Sequence, residues 1–268
     1  HERKDMRQRI ITGAVGIPVI LLCLFTVRPL MLLLVVALMA GALFELARMY
    51  APKRPLAFLW LPACGAVGFF VTYLLQVPDW QGIILAFYLT ILLALGVFAY
   101  PHLPIGDLGF LLLMLIYGAW TLMHALVLYD APHGSWLLLM AFLTVWFSDS
   151  GAYFVGRAFG RHKLAAQLSP NKTVEGAVGG IVLAVLALLI ANVFIKALPG
   201  PAATVLFAVA IAVVGILGDL FESLLKRTFG VKDSGNILPG HGGILDRFDS
   251  LMLVLPVVSY LLPFLATL

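Results

Sequence analysis

The sequence predicts an all-α, polytopic integral membrane protein of about nine transmembrane helices, with its N-terminus in the cytoplasm. Composition is the first observation behind this. Of 268 residues, 62% are hydrophobic and 11% charged, with a mean hydropathy of +1.06. Soluble domains hold roughly 45–50% apolar and about 25% charged residues. With 17 Lys and Arg and 13 Asp and Glu, the chain cannot cover a water-facing surface. That excludes an ordinary soluble domain, a disordered chain and a nucleic-acid binder with a basic face. The other two observations are the spacing of the apolar runs and the placement of cations between them.

A membrane span needs about 20 mostly apolar residues, because the hydrocarbon core is about 30 Å thick and a helix rises about 1.5 Å per residue. Nine runs qualify: 10–27, 30–49, 57–76, 82–100, 108–129, 135–157, 174–198, 202–225 and 250–268. The first follows a basic stretch, as a signal peptide would. Pro18 interrupts it, however, no small-residue cleavage site follows, and more apolar runs come after, so it is expected to be a retained span. The breaks fall at Arg28-Pro29, Ala51–Pro55, Pro78-Asp79, Pro101–Pro104, Asp130–His133, Arg161–Thr173, Pro199–Pro201 and Thr228–Asp249. Each carries Pro, Gly or charge. The run 202–225 differs from the others because its last third is polar.

Cations then set the orientation. With the N-terminus inside, the cytoplasmic side holds Arg3, Lys4, Arg7, Arg9, Arg48, Lys53, Arg54, Arg157, Arg161, Lys163, Lys172, Lys226, Arg227, Lys232 and Arg247. Only Arg28 and Lys196 fall outside. A wrong span count would scramble this alternation. The pI of 9.1 is therefore a topology signal and does not imply a nucleic-acid partner. Cys23 and Cys64 lie in apolar runs without metal-ligand spacing and are expected to be buried free thiols.

The halves differ in polarity. Residues 1–135 form N-terminal transmembrane helices, a scaffold, dimer surface or lipid-facing region, in which Glu45 is the clearest intramembrane ionisable group. Residues 136–268 form a C-terminal catalytic region with cytoplasmic loops 158–173 and 226–249. Internal repeats of the kind that build transporters are not evident.

Charge inside a span is costly and is usually retained for function. Asp149 lies about 14 residues into its span, roughly 20 Å deep, and Asp219 about 17 residues into its own, at the same depth. Asp219, Glu222, Ser223 and Lys226 share one helix face by their three- and four-residue spacing. The following loop, Lys226 to Asp249, is rich in glycine. Gly240, Gly242 and Gly243 permit positive φ and close backbone approach, and free N–H groups beside cations suit phosphate oxygens. Asp246 and Asp249, three apart, point one way if helical, and with Asp219 they make a hard-oxygen set of the kind Mg²⁺ favours. Macrodipole complementarity accounts for one of these aspartates but not for the cluster. His241 suits phosphate binding or proton transfer better than Mg²⁺. A second segment, Ser169-Pro170-Asn171-Lys172-Thr173, reads as a loop opening a helix, where Lys172 and the helix N-terminus hold an anion or the segment is a simple N-cap. It lacks the Walker A pattern.

Ser223-x-Leu225-Lys226-Arg227-x4-Lys232-Asp233-x-Gly235-x2-Leu238-Pro239-x-His241-Gly242-Gly243-Ile244-x-Asp246-Arg247-Phe248-Asp249 resembles, without departure, the signature of bacterial-type phosphatidate cytidylyltransferases, also called CDP-diacylglycerol synthases. Ser148-Asp149-Ser150-Gly151-Ala152-Tyr153 and Ser169–Thr173 resemble that family too. The strong match covers about residues 145–250; the first half agrees in hydropathy and length. The resemblance implies an inner-membrane nucleotidyltransferase of phospholipid biosynthesis, with its active site facing the cytoplasm and inner leaflet. It would transfer the cytidylyl group of CTP to phosphatidate, giving CDP-diacylglycerol and pyrophosphate. It also implies Mg²⁺ dependence, allows a monovalent cation such as K⁺ beside it, and implies a homodimer.

On that reading Asp219, Asp246 and Asp249 are metal ligands. Lys226, Arg227, Lys232, His241 and Arg247, with the Gly242-Gly243 backbone, bind phosphates. Ser223 orients a phosphate or a metal-bound water. Ser169 and Lys172 hold the triphosphate or the lipid phosphate, with Asp149 beside them. Two other readings stay open: a related membrane enzyme acting on another lipid phosphate or lipid alcohol with CTP, and an ion-coupled transporter. The transporter calls for polar groups near the midplane and access from both sides, whereas these groups cluster at the cytoplasmic end.

Overall fold

The computed structural model describes residues 15–50, 59–238, 242–265 and 267. Among the described residues the chain is a bundle of nine helices. They are α1 (Val15–Phe25), α2 (Arg28–Tyr50), α3 (Trp60–Leu74), α4 (Trp80–Phe98), α5 (Ile105–Tyr129), α6 (Gly134–Phe159), α7 (Val174–Ile195), α8 (Pro201–Thr228) and α9 (Leu245–Leu265). Seven are long and apolar enough to cross a membrane, and α1 and α3 are shorter apolar helices. The 15 residues of α3 rise only about 22 Å.

The direction of travel nonetheless alternates as the spacing predicts. Arg28, at the start of α2, pairs with Asp130 at 2.9 Å, and Tyr73, at the end of α3, joins them. Ala131, Pro132, Ala197, Pro199 and Leu265 meet at one cavity. Tyr50, at the end of α2, bonds Asp107 at the start of α5 and meets Phe229 just past α8. The odd breaks thus gather at one end and the even breaks at the other. The cations Arg3, Lys4, Arg7, Arg9, Lys53 and Arg54 lie outside the described residues.

The α5 helix is the enclosed centre, with Tyr117, Leu122, Met123 and Leu126 fully buried. One π turn, Ile116–Trp120, interrupts it. By contrast α4 and α7 expose long apolar faces, including Phe87, Leu93 and Phe98, and Val178, Leu186 and Ile190, as lipid-facing helices do. Cys23 is buried as expected, but Cys64 is exposed on α3, because a peripheral apolar helix needs no protein cover on its lipid side.

Small residues bring the functional helices together. A Cβ on Gly180 of α7 would lie 2.4 Å from the Ser148 carbonyl of α6, and one on Gly151 would lie 2.9 Å from Gly180 Cα. On α8, a Cβ on Gly218 would meet the Asp249 carbonyl at 2.6 Å. Such close approach is the usual way transmembrane helices gain packing where lipid offers no hydrophobic drive. Because backbone atoms cannot yield, Gly180→Ala is expected to lower stability by about 1–3 kcal/mol, read as an earlier thermal unfolding transition in detergent.

Two boundaries differ from the sequence expectation. The loop 158–173 contains a hairpin, β1 (Lys163–Ala165) with β2 (Ser169–Thr173), antiparallel with Ala165 opposite Ser169. Glu175 fastens its entry by accepting from the Arg161 N–H at 3.0 Å and from His162 Nδ1 at 2.6 Å. Thr173 then caps α7, its Oγ1 accepting from the Gly176 N–H at 3.1 Å. The last helix, expected at 250, starts at Leu245, so Asp246 and Asp249 belong to its opening turns. The reason lies in α2: Glu45 supplies acceptors to the Ile244 and Leu245 N–H groups at 2.8 and 2.9 Å.

Candidate active site

Three helices and the hairpin bring the acidic residues together. Asp149 comes from α6, Asp219 from α8 and Asp249 from α9. The glycine contacts of α6 with α7 and of α8 with α9 set their spacing. Each of the three lies within reach of the others' charge. Lys172 of β2 reaches over to form an ion pair with Asp219, and its charge also acts on Asp149. A cavity of about 250 Å³ opens here, lined by Asp149, Asn171, Lys172 and Asp219 on its polar side and by Tyr153 and Ile216 on its apolar side. Like charges this close need a cation or a proton between them, and the lysine supplies one in this arrangement.

A second cluster stands one turn earlier on α9. Lys226 pairs with Glu222 on its own helix and with Asp246 at 2.8 Å. Glu222 is fully buried, and among the described residues no hydrogen-bond donor other than Lys226 reaches it. The other Asp246 oxygen accepts from the Ser234 N–H at 2.9 Å, the Ser234 hydroxyl at 2.9 Å and the Gly243 N–H at 2.8 Å. Gly242 has φ +82°, and a Cβ there would press on this same oxygen at 2.7 Å. Gly242 therefore serves the fold of the loop around Asp246, and the Gly243 amide expected to face phosphate instead faces this carboxylate.

The expected residues thus divide. Asp149, Asp219, Asp249 and Lys172 share one site. Asp246, Lys226, Gly242 and Gly243 form the adjoining loop anchor. Among the described residues, no three His, Cys, Asp or Glu side chains are disposed to hold a metal ion. Both Asp246 oxygens are already hydrogen-bonded, so that carboxylate would have to exchange partners to take one. Arg227, Lys232 and Arg247 are exposed at the same end. Ser223 is buried on α8, and Ser169 pairs with Ala165 beside the turn of the hairpin. His241 lies outside the described residues.

Three contributors were not read from the sequence in these roles. Glu45 anchors the loop, and only its cost inside a span hinted at a purpose. Ser234 bridges Glu45 and Asp246; a serine in a polar loop carries no signal. Tyr117, on the π turn, is buried, its hydroxyl has no hydrogen-bond partner among the described residues, and it feels the charges of Asp249, Glu222 and Asp219. Its ring rests edge-on against Phe221 at 5.0 Å. One tyrosine in a long apolar run looks like core.

Comparison with known proteins meets this geometry. The cytidylyltransferase family matches residues 7–265. The chain belongs to that family. A phosphatidate cytidylyltransferase of Bacillus subtilis is 39% identical over 96% of this chain and 98% of its own length. One from Staphylococcus saprophyticus is 39% identical over 96% of this chain and 99% of its own. One from Haemophilus influenzae is 48% identical over 49% of this chain and 47% of its own. The family match spans both halves of the bundle, although the signature residues lie in the second. Membership accords with a site where carboxylates and cations meet an apolar wall.

Proposed function

We propose that this chain transfers the cytidylyl group of CTP to phosphatidate, giving CDP-diacylglycerol and pyrophosphate. The observation that supports it is the cavity between α6, α7, α8 and the hairpin. One wall carries carboxylates and a lysine, and the other is apolar, with Tyr153 and Ile216. A lipid with a phosphate head and a charged nucleotide can meet there without either leaving its own phase.

A phosphatidate phosphate oxygen attacks the α-phosphorus of CTP in line. The new P–O bond forms as the bond to the bridging oxygen breaks, and pyrophosphate leaves with that electron pair. A phosphate monoester is already a nucleophile, so no covalent enzyme intermediate is required, and catalysis consists of positioning and charge neutralisation. Lys172 holds the lipid phosphate, released from Asp219 as the site fills. Lys226, Arg227, Lys232 and Arg247 attract the triphosphate to this end.

The donor set suits a hard divalent cation: crowded carboxylates that repel one another, with substrate phosphates to complete the shell. Because no three such side chains among the described residues are disposed as a preformed metal cage, Asp219 and Asp249 would hold Mg²⁺ only together with the substrate phosphates, with Asp149 nearby, Asp246 entering only by exchange of its present partners, and K⁺ as a second cation. Mg²⁺ when bound neutralises phosphate charge and polarises the phosphoryl oxygens. The protein functions in the inner membrane with this end toward the cytoplasm, in keeping with the cation asymmetry, and as a homodimer, for which the exposed faces of α4 and α7 offer apolar surface.

Turnover in mixed micelles tests this reading. Purified protein with phosphatidate, CTP and Mg²⁺ is expected to release pyrophosphate and form CDP-diacylglycerol in equal amounts. A chelator is expected to stop both, and restored Mg²⁺ to revive both. Folded protein that is silent with phosphatidate but active with another lipid phosphate would replace the substrate assignment.

A further inference from the structure

We infer that Glu45 is a positioning residue for the reaction: from α2, in the half of the chain that lacks the signature, it sets the start of α9 and the fold of the loop that leads into it. This rests on the proposed reaction only for its kinetic consequence.

Glu45 is 1% exposed. Its carboxylate accepts from the Ile244 N–H at 2.8 Å and the Leu245 N–H at 2.9 Å, and lies 3.0 Å from the Ser234 hydroxyl, whose one proton it shares with Asp246. The partners are about 190–200 positions away in sequence, so this is tertiary capping. The first N–H groups of any helix have no partner within it, and an anion there is favoured by the helix dipole. The residues before Leu245 are Gly242, Gly243 and Ile244, and none has a side chain able to cap. The α9 start therefore depends on a carboxylate delivered from elsewhere.

Space around the carboxylate is cleared for it. A Cβ on Gly243 would fall 2.5 Å from Glu45 and 2.1 Å from the Ser234 hydroxyl, and one on Gly235 would fall 2.6 Å from Glu45. One turn earlier on α2, Gly41 leaves room for Ile244, which a Cβ there would strike at 2.1 Å. Two loop glycines and one helix glycine thus seat the loop on α2. Glu45 and Asp246 both contact the Ser234 hydroxyl, which links the anchor to the Lys226–Asp246 pair. Asp249 lies one turn further along the same helix.

The consequence is selective. Among the described residues, the cavity assigned to the lipid phosphate has no lining residue from the loop 226–249 or from α9. Loosening the α9 start should therefore misplace Asp246 and Asp249 while leaving lipid binding in place. Displacement of about 1 Å in a reacting constellation can cost on the order of 10²-fold in rate.

Glu45→Gln keeps the size but turns one acceptor into a donor facing backbone N–H groups. Its kcat is expected to fall roughly 10–100-fold with the phosphatidate KM within about twofold of wild type. In the same protein, hydrogen exchange at the Ile244 and Leu245 amides is expected to quicken by about tenfold or more, while α6 and α7 keep their protection. Unchanged kcat, unchanged exchange at those amides, or a phosphatidate KM that rises as far as kcat falls would each overturn the inference. If Glu45→Gln does not fold, Gly243→Ala disturbs the same contact from the loop side, with the sequence of α2 unchanged, and the same split is expected. If wild-type protein turns over no phosphatidate, the reaction assignment fails, and amide exchange alone decides the role of Glu45.

Discussion

Replacing Asp249 with Asn is expected to cut turnover by on the order of 10²–10³-fold, the usual cost of losing one charge-stabilising group, without unfolding the protein. The charge logic separates the two effects. Asp249 stands within reach of the Asp149 and Asp219 charges, so its negative charge opposes folding in the absence of a cation. Removing it relieves repulsion and leaves the side-chain volume almost unchanged. Thermal stability should hold or rise while activity collapses. The measurement is kcat in micelles beside an unfolding curve for the same preparation. An active variant would remove Asp249 from the catalytic set. Asp219→Asn makes a useful companion, because it releases Lys172 and so combines loss of charge with loss of an ion pair.

Lys226→Met is expected to have the largest effect on stability, about 3–5 kcal/mol, the typical cost of breaking a buried pair from one side. The lysine neutralises two carboxylates at once, Glu222 and Asp246. Glu222 is wholly buried, and nothing else among the described residues reaches it. A methionine fills the space but leaves two facing anions without a cation. Adding Glu222→Gln removes one of them, so the double variant should recover much of the lost stability. Its activity should stay low if Lys226 also attracts the triphosphate. Unfolding curves for the single and double variants check the first statement, and their turnover checks the second. A single variant as stable as wild type would mean that the pair is not buried in the working protein.

The membrane class, the positions of the nine runs and the acidic character of the second half were legible in residue order alone. Each depends on local quantities. A run of apolar residues forms a helix in lipid because its backbone has no other partner. Cations between runs mark the breaks. Asp149 and Asp219 stand out because a carboxylate in a span is rare, and the three-residue step from Asp246 to Asp249 places them on one side of any helix. The loop signature could be matched without coordinates because its residues are consecutive.

Partnership between distant residues was not legible. The sequence groups Asp219, Asp246 and Asp249 by type, whereas the fold groups Asp149, Asp219 and Asp249 with Lys172 and ties Asp246 to Lys226, Ser234 and Gly243. That division arises from where glycines let α6 meet α7 and α8 meet α9, a matter of packing rather than pattern. The same holds for Tyr117, whose hydroxyl is brought to the carboxylates by the fold of α5. Glu45 is the clearest case. Its charge is visible in the sequence, but its partners are backbone N–H groups some 200 positions away. Any residue other than proline carries such an N–H, so no pattern of side chains records the contact. Local chemistry therefore determined what this protein is made to handle, and tertiary packing alone decided which of its charged groups face one another.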